Sequence, residues 1–187
     1  MKRFTAEYLN DLSLQAQSNP RLRQHRNIHQ DYNEPCQRLF NAIEPASYIH
    51  PHRHAADPRD ELLIAVRGLM DLVTFDDSGA VKGVLRIGSE KYGTDIAVGA
   101  EVPANTWHTV IALEPGCLLL EVKAGPFDPN QPKELAPWAP EENSVLAEQF
   151  LQQLISLERS KESQKGSDPF PTLVKSHEND VSSFATY

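Results

Sequence analysis

The chain has 187 residues, with 18 lysines and arginines against 26 acidic residues, a net charge of −8 and an isoelectric point near 5.3. That balance argues against a general nucleic-acid binder, which carries a basic stripe and a high isoelectric point. No stretch approaches the roughly 18 apolar residues of a membrane span. Hydrophobic residues are 40% of the chain, below the usual share of about 45–50%, so the length allows one domain with some excess. Fourteen prolines against nine glycines suit short strands and loops better than a helical bundle. Cys36 and Cys117 form no CxxC pair and are too few for a disulfide framework. Glu7, Asn10 and Asp11 stand where a secretory leader needs an apolar run. Reduced thiols in a soluble, cytoplasmic protein are the expectation.

In chain order, residues 4–17 read as a helix, capped by Thr5 and stapled by Phe4 and Leu9. Ser18, Asn19 and Pro20 stop it. Residues 21–38 are locally basic, with Arg21, Arg23, Arg26 and Arg38 against Asp31 and Glu34. From about 37 to 123 the pattern changes to short strands and turns. An apolar strand spans 62–66 and breaks at Gly68. A second, over 70–75, turns through Asp76, Asp77, Ser78 and Gly79 into a return strand over 81–87. Further strands are expected at 96–98, at 101–102 before a turn, at 110–113, and at 118–123 after Pro115 and Gly116. Such spacing predicts an all-β barrel or sandwich. Residues 125–142 hold five prolines (126, 129, 132, 137 and 140) and read as an extended strap anchored by Trp138. An amphipathic helix follows over 143–158. The polar remainder, 159–187, lacks hydrophobic periodicity and is expected to be disordered.

The chemistry sits in the histidines, of which there are seven: His25, His29, His50, His52, His54, His108 and His177. His52 and His54 alternate, and alternate residues on a strand face one way. Glu61 follows at the entry to the strand 62–66, and His108 comes after the turn 103–107. His52, His54, Glu61 and His108 together make an imidazole and carboxylate set. Such a set suits one divalent transition metal such as iron, manganese, zinc or nickel, and copper as well. His25 and His177 have no supporting pattern.

With those residues in view, the sequence resembles the cupin superfamily. Its two motifs are matched by His52-x-His54 with Glu61 and Gly68, and by Pro103-x-Asn105-x-x-His108. Asn105 stands where the general motif has glycine, and asparagine also tolerates a left-handed backbone. A longer match, over about 26–142, resembles the cupin-fold metalloproteins of the WbuC family. It runs through Arg26-Asn27-x-His29, Gln37-Arg38-Leu39, Ser47-Tyr48-x-x-Pro51-His52-Arg53-His54, Trp107-His108, Glu121-Val122-Lys123-x-Gly125-Pro126 and Ala136-Pro137-Trp138-Ala139-Pro140-x-Glu142. The resemblance departs at Arg59-Asp60, before Glu61, where the family carries lysine and often an aromatic residue. It implies a mainly β fold, a single cupin (double-stranded β-helix, jelly-roll) barrel with short N- and C-terminal helices. It also implies a bound metal, a link to surface-polysaccharide (O-antigen) gene clusters, and a homodimer as a common state.

Other residues extend the reading. Arg38 and Arg53 are candidates to fork onto an anionic substrate, although alternation points Arg53 away from the side of His52 and His54. Glu121 and Lys123 share one strand face opposite Leu118, Leu120 and Val122; they form a surface pair or line the barrel, and the family motif includes them. Tyr48 and Lys123 are the two candidates for moving protons. The first expectation is a metal-dependent enzyme, an isomerase, epimerase or oxygenase, on a small polar, anionic or sugar-like molecule. The alternative is a barrel that binds or senses a small ligand without turnover.

Overall fold

The computed structural model describes residues 1–55, 58–130 and 133–162. Helix α1 (Ala6–Ser18) starts where Thr5 caps it, its side-chain oxygen accepting from the Tyr8 N–H at 3.2 Å. Ten strands follow: β1 (Arg23–Asn27), β2 (Cys36–Ile43), β3 (His52–Arg53), β4 (Glu61–Arg67), β5 (Leu69–Phe75), β6 (Val81–Gly88), β7 (Gly99–Val102), β8 (Trp107–Ala112), β9 (Cys117–Ala124) and β10 (Glu134–Leu135). Helix α2 (Val145–Glu162) closes the described chain. The strands form two five-stranded sheets, ordered β1-β2-β9-β4-β7 and β10-β3-β8-β5-β6. Every strand pair within them is antiparallel. The mainly β, single-barrel class with terminal helices is therefore the architecture observed.

Strand alternation sorts the side chains into three layers. Ile43, Leu63, Met70, Leu72, Ile87, Val110 and Leu119 fill the space between the sheets. Their strand neighbours Phe40, Ala42 and Leu118 point the other way and pack under Leu12 and Ala16 of α1. On the far side, Val73, Phe75, Trp107 and Ile111 are covered by Leu151 and Leu154 of α2 and by Ala136 and Ala139 of the strap. Trp138 is the expected anchor: its ring lies 5.0 Å from Phe75 and 6.4 Å from Phe150.

Two turns show why these strands meet. Gly68, between β4 and β5, has φ +89°, and a Cβ there would lie 2.4 Å from the Cys117 sulfur. Only glycine fits both the conformation and the space. Asn105 adopts φ +63° in the turn before β8, the left-handed conformation expected of it.

Several expectations change. Strand β1 and the start of β2 fall within the segment 21–38, read only as basic. No strand forms at 96–98, which contributes a single bridge, Ile87 to Ala97. The proline-rich strap carries a short strand, β10, paired with β3 through Glu134↔Arg53 and Leu135↔His52. Helix α2 continues to Glu162, so residues 159–162 are helical. The expected disorder of 163–187, and His177 with it, lies outside the described residues.

Candidate metal centre

The barrel interior changes character along its axis. On β9, Cys117 and Leu119 face the apolar core while Glu121 and Lys123 line a cavity at the other end. Strand β4 runs the opposite way, from Glu61 at the polar end to Leu63 and Ala65 in the core. Strand β8 does the same from His108 to Val110 and Ala112. Antiparallel pairing brings these polar ends together. His52 of β3 is the register partner of His108, and Glu61 of β4 is that of Lys123. The expected set thus spans both sheets.

The ligand-type atoms of His52, His54, Glu61 and His108 all lie within 4.8 Å of one another. The Glu61 Oε2 is 3.4 Å from His54 Nε2 and 3.5 Å from His108 Nε2. The His52 and His108 rings are 4.5 Å apart between centroids. Backbone carbonyls fix two of the tautomers. His52 Nδ1 donates to the His50 carbonyl at 3.0 Å, and His108 Nδ1 to the Thr106 carbonyl at 2.8 Å. With Nδ1 donating to the backbone, each ring turns its Nε2 inward. His54 Nε2 is buried with no hydrogen-bond partner.

Those contacts decide whether the residues fit a metal. Nε2 lone pairs and a carboxylate oxygen are all acceptors, and at 3.4–3.5 Å they sit beyond a good N–H···O bond. A single shared proton cannot serve three nitrogens at once. One cation among them satisfies every acceptor. The set is also the mix of imidazole and carboxylate that borderline divalent metals prefer. The residues fit.

Burial pushes His52 well below its ordinary value, with the Lys133 charge next in weight, so it stays neutral and able to ligate. For Glu61, burial works to raise the carboxyl, but the His108 and His54 rings and the Lys123 ammonium outweigh it and hold it well below the usual range. Lys123 Nζ lies 3.4 Å from Glu61 Oε1. Glu121 behaves oppositely: burial first, then the Glu61 charge, raises it, while Asn41 Nδ2 donates to its Oε1 at 2.9 Å.

Two chambers adjoin the cluster. The larger, about 240 Å³, is lined by His52, His54 and Glu61 together with Glu121, Lys123, Lys133 and residues of the N-terminal arm, including His25, His29 and Gln37. The smaller, about 70 Å³, runs deeper past Arg23, Asn41 and His108 and shares His25, His52, Glu61, Glu121 and Lys133 with the first. Lys133 and His25 are the residues that sequence reasoning missed. Lys133 sits in the strap, where no periodicity marks an inward side chain. His25 lies on β1, whose polar composition hid the strand. Burial, then Lys133, drives His25 down to about 4.

The other expected residues divide. Glu121 and Lys123 line the cavity; Leu118 and Leu120 on the opposite face pack with α1 instead of the core. Arg38 does not line either chamber. On β2 the odd positions Gln37, Leu39 and Asn41 face inward, so Arg38 has the outward parity and pairs with Glu34. Arg53 is likewise turned out: it forks onto Glu134 at 2.9 Å and lies over the Trp107 ring at 4.3 Å. Tyr48 lies away from the metal set, its hydroxyl donating to the Pro140 carbonyl at 2.8 Å. Burial, then Glu142, pushes it up to about 12. His50 contributes through its backbone, and its own Nε2 bonds the Ala136 carbonyl at 3.0 Å.

The family described as Domain of unknown function (DUF6016) matches residues 4–87, under half of the chain. No curated protein matches it. Among solved structures, the chain is similar to KdgF from Halomonas sp., at 16% identity and a TM-score of 0.43 over 58% of this chain and 83% of that one. It is similar to Lactobacillus farciminis oxalate decarboxylase, at 20% and 0.44 over 59% and 30%. It is also similar to the capsular polysaccharide assembling protein CapF from Staphylococcus aureus, at 16% and 0.44 over 59% and 29%. Among the described residues, no helix is long and apolar enough to cross a membrane.

Proposed function

We propose that this chain is a metal-dependent cupin enzyme of the WbuC type, acting on a small polar or anionic, sugar-related molecule in surface-polysaccharide metabolism. The observation that carries the metal reading is the gathering of the ligand-type atoms of His52, His54, Glu61 and His108 within 4.8 Å, with His54 and His108 both facing Glu61 Oε2. The residue runs shared with the WbuC family support the pathway. The cations around the cavity support the substrate class.

A divalent ion held by these four residues supplies Lewis-acid polarisation of a substrate oxygen and, where redox-active, oxygen chemistry. The chain's own residues do the rest. Lys123 lines the cavity and neighbours Glu61; of the two proton-moving candidates it is the one beside the metal set and keeps that role here. Glu121, held towards its protonated form, offers a second exchangeable proton at the wall shared by both chambers. The aromatic pair Tyr32 and Phe127, 5.1 Å apart, borders the outer chamber.

Elemental analysis of the purified protein and of the variant His52→Ala/His108→Ala tests the site. One transition metal per chain, lost in the variant, is expected; unchanged metal content in the double variant overturns it. A turnover screen of the metal-loaded protein with sugar and keto-acid libraries, under air and under argon, tests catalysis. Failure to form any product there moves the reading to a ligand-binding barrel.

A further inference from the structure

The charged groups of the barrel mouth are nearly all spoken for. Glu142 bridges Arg21 and Arg23, and Arg53 holds Glu134. Lys123 sits on Glu61, itself one of the four ligand residues. Lys133 differs. Among the described residues it makes no ion pair or hydrogen bond, yet it borders both chambers beside His52 and Glu61. The residue is exposed as a whole, but its amine experiences the interior. Burial draws it down to about 8, against opposing pulls from Glu121 and Glu61.

Its placement is fixed by the fold. Strand β10 begins at the next residue, and the pairing Glu134↔Arg53 and Leu135↔His52 ties the strap to the strand that carries the metal-site histidine. The Arg53 fork on Glu134 clamps the same point. The strap thus holds a lysine over the metal set while Arg53, the cation that sequence spacing suggested, serves as its fastening outside the barrel.

Resting on the metal reading above, we infer that Lys133 is the anion-recognising residue of the cavity and that its ligand is a small chelating carboxylate, such as a 2-hydroxy or 2-keto acid. One unpaired ammonium balances one negative charge, which matches a carboxylate better than a phosphate dianion. Phosphate sites are commonly built from arginine forks or backbone N–H groups, and the arginines of the inner chamber, Arg21 and Arg23, are both taken by Glu142. The outer chamber has room for the volume of about eight waters, enough for a compact acid and too little for an oligosaccharide. A carboxylate between Lys133 and the metal set would bring its neighbouring hydroxyl or keto oxygen beside an ion held by His52, His54, Glu61 and His108.

Calorimetric titration of the metal-loaded full chain with pyruvate, glycolate and inorganic phosphate tests the assignment, alongside K133M and K133R. Metal content and melting temperature are measured on every sample, so loss of the metal is seen separately from loss of the anion site. Wild type should bind pyruvate and glycolate more tightly than phosphate. K133M should weaken glycolate by about 10- to 100-fold, the range for a hydrogen bond to a charged group, with metal content and melting unchanged. K133R should recover part of the loss. Equal glycolate affinity in K133M, or phosphate binding as tight as glycolate, overturns the assignment. So does metal-loaded wild type that binds none of the three. A wild type without metal overturns the reading beneath it.

Discussion

Glu142→Gln probes the clamp that fastens the end of the strap to the barrel. The Arg23 side chain is 6% exposed, and its Nη2 lies 2.6 Å from Glu142 Oε1. The same carboxylate takes a fork from Arg21 at 2.7 and 2.9 Å, but Arg21 is 53% exposed. Breaking a fully buried pair costs about 3–5 kcal/mol. Here Arg23 keeps the Tyr48 carbonyl at 2.9 Å and the Ser47 hydroxyl at 3.3 Å, and Glu142 is partly solvated, which lowers that figure to about 1.5–2 kcal/mol. The exposed Arg21 fork adds at most about 1 kcal/mol. A total of about 2–3 kcal/mol corresponds to a melting point lower by about 4–12 °C in a domain of this size. Glu148→Gln, an exposed carboxylate that lines a surface groove together with Arg21 and Glu142, is the control and should change stability by less than about 0.5 kcal/mol. The sign with pH is fixed. Burial alone would raise Glu142, but Arg21 and Arg23 hold it below its ordinary value. Its contribution is therefore complete above the unfolded-state pKa and disappears as pH falls through the folded-state value. The gap between wild type and Glu142→Gln, followed by thermal melts across that acid range, should shrink towards zero. A gap that is absent at neutral pH, or unchanged by acid, refutes the clamp.

Other outcomes follow from the same geometry. Adding a transition metal at about 100 times its Kd should stabilise metal-stripped wild type by about 2.7 kcal/mol and leave His52→Ala/His108→Ala unmoved, as read by differential scanning calorimetry. Tyr48→Phe should lose about 1 kcal/mol with its Pro140 hydrogen bond and retain full metal content by elemental analysis. Gly68→Ala meets both a positive φ and the Cys117 sulfur; a loss of more than about 3 kcal/mol in urea unfolding is expected. Cys117, buried and pushed up by that burial, should alkylate far more slowly in the native protein than the half-exposed Cys36.

The cluster of His52, His54, Glu61 and His108 was legible because its spacing is local on each strand and its chemistry is unusual. His52-x-His54 needs only the two-residue period, and the turn before His108 needs only a residue that tolerates positive φ. The strands that enclose it were harder. Along β2 the inward residues Gln37 and Asn41 are polar because they face the cavity, while the outward Phe40 and Ala42 are apolar because α1 covers them. The usual rule of apolar inside and polar outside is inverted there, so no individual strand stood out over 36–43. The same inversion on β9 left Glu121 and Lys123 undecided between surface and cavity. Arg38 failed on parity alone: one residue either way and it would have faced the site. Lys133 had no signal at all, since a strap has no period and its direction comes from pairing with a strand 81 residues earlier in the chain.

This inversion bears on stability as well as function. A barrel whose upper half is lined by Glu61, Glu121, Lys123 and three ligand histidines gives up apolar burial that a fully hydrophobic interior would supply, and takes on the desolvation of ionised groups. Helices α1 and α2 offset part of that loss by covering the outer faces of both sheets, where Phe40, Leu118, Trp107 and Ile111 are buried. Part of the remaining deficit lies at His54 Nε2 and at the acceptors around Glu61 Oε2, the atoms one cation would satisfy together. Metal binding and closure of this end of the barrel are therefore linked. In hydrogen exchange, the amides of β3 and β8 near His52 and His108 should gain protection on metal addition, while those around Met70 and Leu119 in the apolar half should change little. Uniform protection along the barrel would refute a metal that acts on one end of it.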